Sequence, residues 1–233
     1  MNLAGELENL RILVTGGSGF VGGRLAERLG ARGAKVAAIV RRRGDHEGLD
    51  SPNIEQLEGR FDDPDDARRA CEGVAVVVHS AATIGGSLEE ARRVNALGTA
   101  TLAAAARAAG CRRFVHISTI SVYDWEAPLA VFDESAPLKT VEKPYPHSPA
   151  ASPFYGLSKA EAERALALEA AQGLATTVFR LGAVFGIHPT SSWSILVPAK
   201  QREGKLGPQG DGSGALPWCH IDNIADALEF ALT

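Results

Sequence analysis

Thr15-Gly16-Gly17-Ser18-Gly19-Phe20-Val21-Gly22 follows a short apolar run, Arg11 to Thr15, and opens a segment with helical spacing, Gly19 to Arg32. A strand that ends, turns tightly and feeds a helix points the first N–H groups of that helix at an anion. Glycines in such a turn permit the bend, the approach of phosphates and close packing of helix on strand. Gly16, Gly19 and Gly22 stand at GxxGxxG spacing, and Gly17, Gly19 and Gly22 also satisfy GxGxxG. The glycines alone are a weak signal; the strand before them and the helix after them supply the context that gives them meaning. The stretch reads as the pyrophosphate turn of a Rossmann βαβ unit that takes a dinucleotide.

Beyond this turn, short apolar runs alternate with longer helical segments. Lys35 to Val40, Asn53 to Leu57, Val74 to His79, Arg113 to Ser118 and Ala175 to Leu181 read as strands. Asp65 to Cys71, about Leu88 to Ala109, and Pro153 to Gln172 read as helices, with Ser152 as N-cap and Pro153 in the first turn. Runs such as Val76-Val77-Val78 lack polar alternation, as expected of parallel strands covered on both faces. The fold class is therefore α/β, a doubly wound parallel sheet. Asp124 to Ser152 carries five prolines and is too long for an ordinary connection, so it reads as a functional loop. Gly204 to Pro217 reads as loop, and Trp218 to Leu232 resumes a short strand and a helix.

The 233 residues are 45% hydrophobic and 22% charged, with a net charge of −4. That balance suits one large globular domain and offers no basic field for nucleic acid. Cys71, Cys111 and Cys219 are far apart in the chain and form no CxxC, so reduced thiols and a cytoplasmic location are expected, without a disulfide framework or zinc site. No run of about 18 apolar residues suggests a membrane span, and Met1 to Leu10 has no signal-peptide pattern. None of the six histidines falls in HxxxH or HExxH spacing, and no GxSxG elbow occurs, so metal hydrolysis and serine hydrolysis are disfavoured and no metal is expected. His79 and His116 lie in strands and read as core; His147 and His188 are loop residues able to face a substrate, and Trp193 and Trp218 read either as cleft lining or as core or interface residues. Asp133-Glu134 reads as a turn start.

NAD binding usually places Asp or Glu at the end of the second strand, about 20 residues past the glycines. Val40 stands there, followed by Arg41, Arg42 and Arg43. Guanidinium groups match phosphate with fork geometry. The reading is NADP in preference to NAD, carried by Arg41 or Arg42.

Tyr155-Gly156-Leu157-Ser158-Lys159 lies in the helix that starts at Pro153. Residues four apart share a helix face, so Tyr155 and Lys159 point into one site. A free phenol, with a pKa of about 10, is a poor base at neutral pH. A neighbouring ammonium favours the phenolate. Tyr155 then exchanges a proton with a substrate oxygen while hydride passes to or from nicotinamide. Lys159 is also suited to the nicotinamide ribose hydroxyls. Ser118-Thr119-Ile120-Ser121-Val122-Tyr123 ends a strand, where α/β sheets place ligands, and a hydroxyl there can bond the reacting carbonyl.

Taken in order, Thr15 to Gly22, His79-Ser80-Ala81-Ala82, Asn95-Ala96-Leu97-Gly98-Thr99, Ser118 to Tyr123, Tyr155 to Lys159, Arg180 to Gly186 and His220-Ile221-Asp222-Asn223 resemble an extended short-chain dehydrogenase/reductase of the NAD-dependent epimerase/dehydratase superfamily. The resemblance runs from Arg11 to Leu232. It implies Tyr155 as the acid/base and Lys159 as its electrostatic partner. The hydroxyl three before Val122, Thr119 rather than Ser118, becomes the carbonyl-binding residue. By the same resemblance Gly16, Gly19, Phe20, Val21 and Gly22 meet the cofactor, Ala81 and Ala82 lie along it, Asn95 supports the site from the next helix, and Gly182 to Val184 approach the nicotinamide end.

The chain departs from the family at named places. Gly59-Arg60-Phe61, with Asp62 and Asp63 following, replaces the Gly-Asp-Leu whose Asp bonds adenine; Arg60 could stack or bind phosphate instead. Gly182 replaces the proline after Arg180-Leu181. Ile120-Ser121 stands where sugar 4,6-dehydratases have Asp-Glu, which disfavours that dehydration. Family members usually continue well past the position of Thr233, so the chain reads either as a fragment or as a shortened member with a more open cleft. Residues 1–180 are expected to form the dinucleotide-binding domain with the Tyr/Lys helix. Residues 181–233 are expected to form a partial substrate-binding portion interleaved with it.

Three functions follow from these residues. The first is NADP-linked reduction of a ketone or oxidation of a secondary alcohol, and Gly210-Asp211-Gly212 with Asp222-Asn223 resemble the hydroxysteroid-dehydrogenase-like branch. The second is a nucleotide-sugar epimerase that retains its cofactor. The third is a non-catalytic dinucleotide sensor, against which the Tyr/Lys pair speaks. The expected partner is a small-molecule substrate, without nucleic acid or membrane. The resemblance also implies a homodimer through the Tyr155 helix and the long helix before Cys111, which a monomer in light scattering would refute.

Overall fold

The computed structural model describes residues 7–8, 10–44, 46, 48–129, 131–141, 153–188, 191, 198, 202–203 and 217–232. Six parallel strands form one sheet: β1 (Arg11–Thr15), β2 (Lys35–Val40), β3 (Ile54–Glu58), β4 (Val76–His79), β5 (Arg113–Thr119) and β6 (Thr176–Leu181). They lie side by side in the order β3-β2-β1-β4-β5-β6. Chain order reverses between β1 and β4, so a crevice opens past their carboxyl ends, where such sheets bind ligands. The pairing there sets Thr15 beside His79, and β4 to β5 sets His79 beside His116.

Helices cover both faces. α1 (Phe20–Ala31) follows the glycine turn, α2 is Pro64–Cys71, and α3 (Leu88–Ala91) continues through a π-helical turn (Arg92–Leu97) into α4 (Gly98–Ala108). α5 is Pro153–Ala170 and α6 is Ile221–Leu232. A separate two-stranded parallel sheet joins β7 (Ala183–Phe185) to β8 (Trp218–His220). One core layer gathers Ile12, Val14, Leu25, Leu29, Val76 and Val78 with Ile224 and Leu228 of α6. The opposite layer gathers Leu13, Val77, Leu102, Phe114 and Leu166. Alternate residues of β1 thus feed opposite faces, as the two-residue period of a strand requires.

The sequence reading places the six strands of the large sheet and most helices within one or two residues, and misses β7. Two differences have physical causes. The single helix expected over about Leu88 to Ala109 is broken by the π-helical turn. There the buried Asn95 side chain accepts from Thr83 N–H (2.8 Å) and donates to Thr83 O (2.9 Å). A widened turn of this kind commonly accompanies a functional site. The three cysteines, distant in sequence, are not all distant in space: Cys71 and Cys111 are buried in the same core layer. All three are free thiols. The neighbouring Cys111 thiol, with burial, pushes the Cys71 thiol up.

α6 docks on α1 through charge as well as apolar packing. Arg28 donates to Glu229 (2.8 Å) and to Asp226 (2.5 Å), Arg32 pairs with Glu229 (2.9 Å), and Arg24 pairs with Asp222 (2.8 Å). Glu229 is buried, so its two arginines offset the cost of removing its charge from water. No helix among the described residues is long and apolar enough to cross a membrane.

The glycine turn is tight for reasons visible atom by atom. Gly16 has φ +69°, and a Cβ on it would stand 2.8 Å from the Ala81 amide nitrogen. A Cβ on Gly22 would run into the Gly16 carbonyl. Both neighbours are backbone and cannot swing away. Gly22→Ala is therefore expected to cost about 1–3 kcal/mol, the usual range for overpacking, and to weaken dinucleotide binding. Chemical denaturation checks it; a variant as stable as the parent would contradict this geometry.

Candidate active site

Four strand ends and one helix meet at the carboxyl edge of the sheet. β1 ends at Thr15 and passes into Gly16; Gly19 is the N-cap of α1 and brings no side-chain hydrogen bond to that helix end. A 12-residue helix without a side-chain cap, aimed from a glycine turn, leaves its N-terminus available to an anion. A Cβ on Gly19 would meet only the Gly16 carbonyl, at 3.2 Å, so its outer side is otherwise open. These observations fit a pyrophosphate. Phe20 is half-buried against the His188 ring, with centroids 5.4 Å apart, and Val21 packs against the core.

A chain of hydrogen bonds ties this turn to α5. Thr99 Oγ1 donates to Asn95 O (2.5 Å), so it must accept from His79 Nε2 (2.9 Å). His79 Nδ1 then accepts from Thr15 Oγ1 (2.7 Å), which itself accepts from Ala81 N–H (3.1 Å). Each hydroxyl has one proton to give, and this fixes the imidazole tautomer. On the far side, Asn95 Nδ2 donates to Ser158 Oγ (2.9 Å), and Ser158 Oγ donates to Tyr155 O (3.0 Å). Asn95 thus braces α5 from the adjacent helix. Ala82 is exposed just beyond β4.

Tyr155 is half-buried near the start of α5, and Lys159 is one turn further along and buried. Lys159 Nζ donates to Ile117 O (2.7 Å) and lies 3.0 Å from His116 Nε2. Burial pushes the lysine down from 10.5 to about 7, against the opposing pull of the Glu163 carboxylate. Thr119 closes β5; its oxygen accepts from Ser121 N–H (3.2 Å) at the head of the short 3-10 turn Ile120–Val122. Its neighbour Ser118 is committed elsewhere, donating to Glu163 Oε1 at 2.5 Å.

Glu163, one turn beyond Lys159, anchors a second network. Arg180 of β6 grips it through Nε (3.2 Å) and Nη2 (2.8 Å) and also donates to Tyr123 Oη (3.2 Å) and Glu134 O (2.9 Å). Burial opposes the Arg180 charge, but the bonds to Glu163 and Tyr123 outweigh it and raise its pKa. Tyr123 packs edge-to-face on Trp125 and tilted against Phe132, so this network also holds the start of the long loop. Asp133 accepts from Ser135 N–H (2.9 Å), forming the expected turn.

The remaining sequence-expected residues are scattered around this centre. Arg41 and Arg42 are exposed just past β2. Gly44 behind them exchanges two hydrogen bonds with the Gln56 side chain of β3, at 3.2 and 2.9 Å. Gly182 lets the Pro217 carbonyl accept from Ala183 N–H (2.9 Å), and any Cβ there would strike that carbonyl, so a proline does not fit. Val184 packs on the core. Arg60, considered for adenine or phosphate, is engaged by Asp62 at 2.8 Å, and Asp63 caps α2. His79 and His116 are core residues as expected; Trp218 is partly exposed against Phe185. His147, Ser152, Trp193 and residues 204–216 lie outside the described residues. Sequence reasoning missed Glu163 and the bond between Lys159 and His116. The position of Glu163, four residues after Lys159 on the same helix face, was the available signal for the first.

The buried cations and imidazoles give stability a direction with pH. Burial and the Lys159 charge hold His79 and His116 well below 6.5, so below that pH the unfolded chain takes up protons that the native state refuses. Lys159 acts in the same sense higher up: between about 7 and its ordinary 10.5 the unfolded chain again binds more protons. The melting temperature of the ligand-free protein is expected to rise from pH 5.5 to pH 9.5. Lys159→Met is expected to flatten the part above pH 7; a parent protein already flat there would contradict the lowering of the Lys159 pKa by burial.

A parallel doubly wound sheet with a glycine turn at its switch point and a Tyr-x-x-x-Lys helix beside its fifth strand defines a protein of the extended short-chain dehydrogenase/reductase type. The chain belongs to the NAD dependent epimerase/dehydratase family, whose model matches residues 12–233. It is 31% identical over 95% of its length to a Stigmatella aurantiaca protein named 4-hydroxy-2-methyl-3-oxo-4-farnesyl-3,4-dihydroquinoline-1-oxide ketoreductase. It is 33% identical over 93% of its length to a Stenotrophomonas maltophilia 2-alkyl-3-oxoalkanoate reductase. The chain spans 64% and 63% of the lengths of these two relatives. Its fold is similar to that of the Bordetella bronchiseptica enzyme WbmH in complex with NAD+, with TM-score 0.76 and 25% identity over 97% of this chain and 73% of that one.

Proposed function

We propose that this chain carries the dinucleotide-binding and proton-transfer parts of an NADP-linked oxidoreductase that interconverts a ketone and a secondary alcohol. The observation that carries the reading is the approach of α5 to β5: Lys159, one turn from Tyr155, bonds the Ile117 carbonyl two residues before Thr119. The names of the two ketone-reducing relatives support the direction of the chemistry.

The bound dinucleotide supplies the hydride donor or acceptor. Gly16, Gly19, Phe20, Val21 and Gly22 would hold its pyrophosphate end, Ala81 and Ala82 its flank, and Gly182 and Val184 its nicotinamide end. Asn95 keeps α5 in place through Ser158. Thr119 accepts from Ser121 N–H, which holds its oxygen and leaves its O–H to donate to a substrate oxygen. Tyr155 gives its phenolic proton to that same oxygen in reduction and recovers it in oxidation. An ammonium at Lys159 stabilises the phenolate left behind. We also propose the division into residues 1–180 for the dinucleotide and 181–233 for a partial substrate-binding portion interleaved with that core, an interleaving that the packing of α6 on α1 supports.

The NADP preference rests on Val40 at the end of β2 and the exposed Arg41 and Arg42 beyond it. The pinning of Gly44 by Gln56 limits how far that arginine loop can swing. WbmH is solved with NAD+, and the arginines are the reason to expect otherwise here. Replacing Arg41 and Arg42 together by Ala is expected to weaken NADPH binding about tenfold or more, the scale of one lost charge-assisted phosphate contact, with NADH binding little changed. Fluorescence titration with both nucleotides checks this; equal losses for the two would remove the preference.

A further inference from the structure

We propose that His116 is a positioning residue for Lys159: its imidazole, presented from β5, accepts an Nζ–H and with the Ile117 carbonyl fixes the direction of the remaining ammonium proton. The proposal rests on the assignment of Tyr155 and Lys159 above and extends it to a residue that assignment does not use.

An ammonium has three donors and no acceptor. Here one goes to Ile117 O at 2.7 Å and one meets His116 Nε2 at 3.0 Å, with both side chains essentially removed from solvent. With the carbonyl alone, the ammonium could still turn about its Cε–Nζ bond. A second fixed acceptor stops that rotation and leaves the third N–H a single direction, on the helix that also carries Tyr155. The imidazole can serve because it is neutral, and burial holds it so.

The other side of the ring points the same way. A neutral imidazole has one acceptor nitrogen, so if Nε2 accepts, the ring proton sits on Nδ1. Nδ1 is buried and has no hydrogen-bond partner among the described residues. A buried donor left without a partner calls for an explanation, and packing alone would be served by an apolar side chain. His79, the neighbouring imidazole at 5.3 Å, has both nitrogens satisfied. His116 has only the nitrogen that faces Lys159 in use.

The charged and titratable groups around the lysine come from every element packed on it. Among the described residues they are His116 from β5, His79 from β4 and Glu163 from α5, with Arg180 of β6 behind Glu163 and Tyr155 one turn away on α5. Glu163 favours the ammonium but is itself gripped by Arg180 and Ser118. Among the described residues, His116 is thus the side chain that bonds Nζ directly.

The test is nuclear magnetic resonance on the ligand-free protein with labelled histidine and lysine, Lys159→Met serving to assign the lysine signal. At pH 6, His116 is expected to carry its proton on Nδ1 with Nε2 bare. In His116→Leu the charged form loses an acceptor, so the Lys159 midpoint is expected to fall by about one pH unit. In His116→Gln, which keeps an acceptor oxygen, it is expected to stay within about 0.3 unit of the parent. A proton on Nε2 at pH 6, an unmoved midpoint in His116→Leu, or a Gln variant that shifts as far as Leu would each overturn the proposal. If His116→Leu fails to fold by circular dichroism, the parent tautomer and the Gln variant decide it. None of these readings uses turnover. An active Tyr155→Phe enzyme would sink the redox assignment, whereas an unmoved Lys159 midpoint beside an inactive Tyr155→Phe enzyme would sink only this proposal.

Discussion

Tyr155→Phe is expected to lower kcat by about 10²–10⁴-fold, the usual worth of a positioned proton donor, while dinucleotide affinity stays nearly unchanged. The phenolic oxygen is the only atom removed, and the brace on this helix does not use it. Ser158 Oγ donates to the Tyr155 backbone carbonyl, and Asn95 bonds Ser158, so the substitution leaves both contacts in place. Lys159 keeps its bond to Ile117 O as well. The loss should therefore fall on the proton-transfer step and leave the shape of the site intact. NADPH oxidation followed at 340 nm, beside a fluorescence titration of the nucleotide, separates the two. Activity within a few-fold of the parent would remove Tyr155 from the chemistry.

Arg180→Met carries the largest expected effect on stability, about 3–5 kcal/mol, because it strands a buried carboxylate. Glu163 is 8% exposed, pairs with Arg180 and accepts a hydrogen bond from the Ser118 hydroxyl. Removing the guanidinium leaves the Ser118 hydroxyl and the more distant Lys159 to hold that charge and frees Tyr123 and the Glu134 carbonyl at the root of the long loop. The paired variant Arg180→Met with Glu163→Leu removes both charges and is expected to recover most of the loss, since an apolar pair of similar volume can replace a buried ion pair at little cost. Denaturant unfolding of the three proteins measures it. A single variant that loses under about 1 kcal/mol, or a double variant no better than the single, would show that the pair is not held in a water-poor environment.

These two expectations draw on different kinds of information. Tyr155 and Lys159 were legible in the sequence because four-residue spacing on a helix fixes a shared face. The strands were legible because runs such as Val76-Val77-Val78 leave little choice but a sheet covered on both sides. The Glu163–Arg180 pair was not, since it joins a helix to a strand and depends on the register of β5 against β6. The bond between Lys159 and His116 was hidden for a similar reason: a histidine amid apolar residues reads as core, and which of its nitrogens meets which element is a matter of packing. The π-helical turn around Asn95 was equally invisible, because an added residue in one turn leaves the apolar spacing of Leu88 to Ala109 nearly intact.

The glycine at position 182 shows the opposite case. In the sequence it stands only as a departure from a family proline. In the structure it is the place where the Pro217 carbonyl approaches the strand end. Position and consequence were legible together only once β8 lay beside β7.

Net hydride transfer from NADPH to a ketone, with proton delivery by Tyr155, can be followed as absorbance at 340 nm. The full-length protein is mixed with NADPH and a panel of ketones, β-keto acids among them, and the products are identified by mass spectrometry. NADPH is expected to be consumed one for one with the alcohol formed. A nucleotide that stays bound and is neither consumed nor produced while a sugar nucleotide is epimerised would contradict this chemistry.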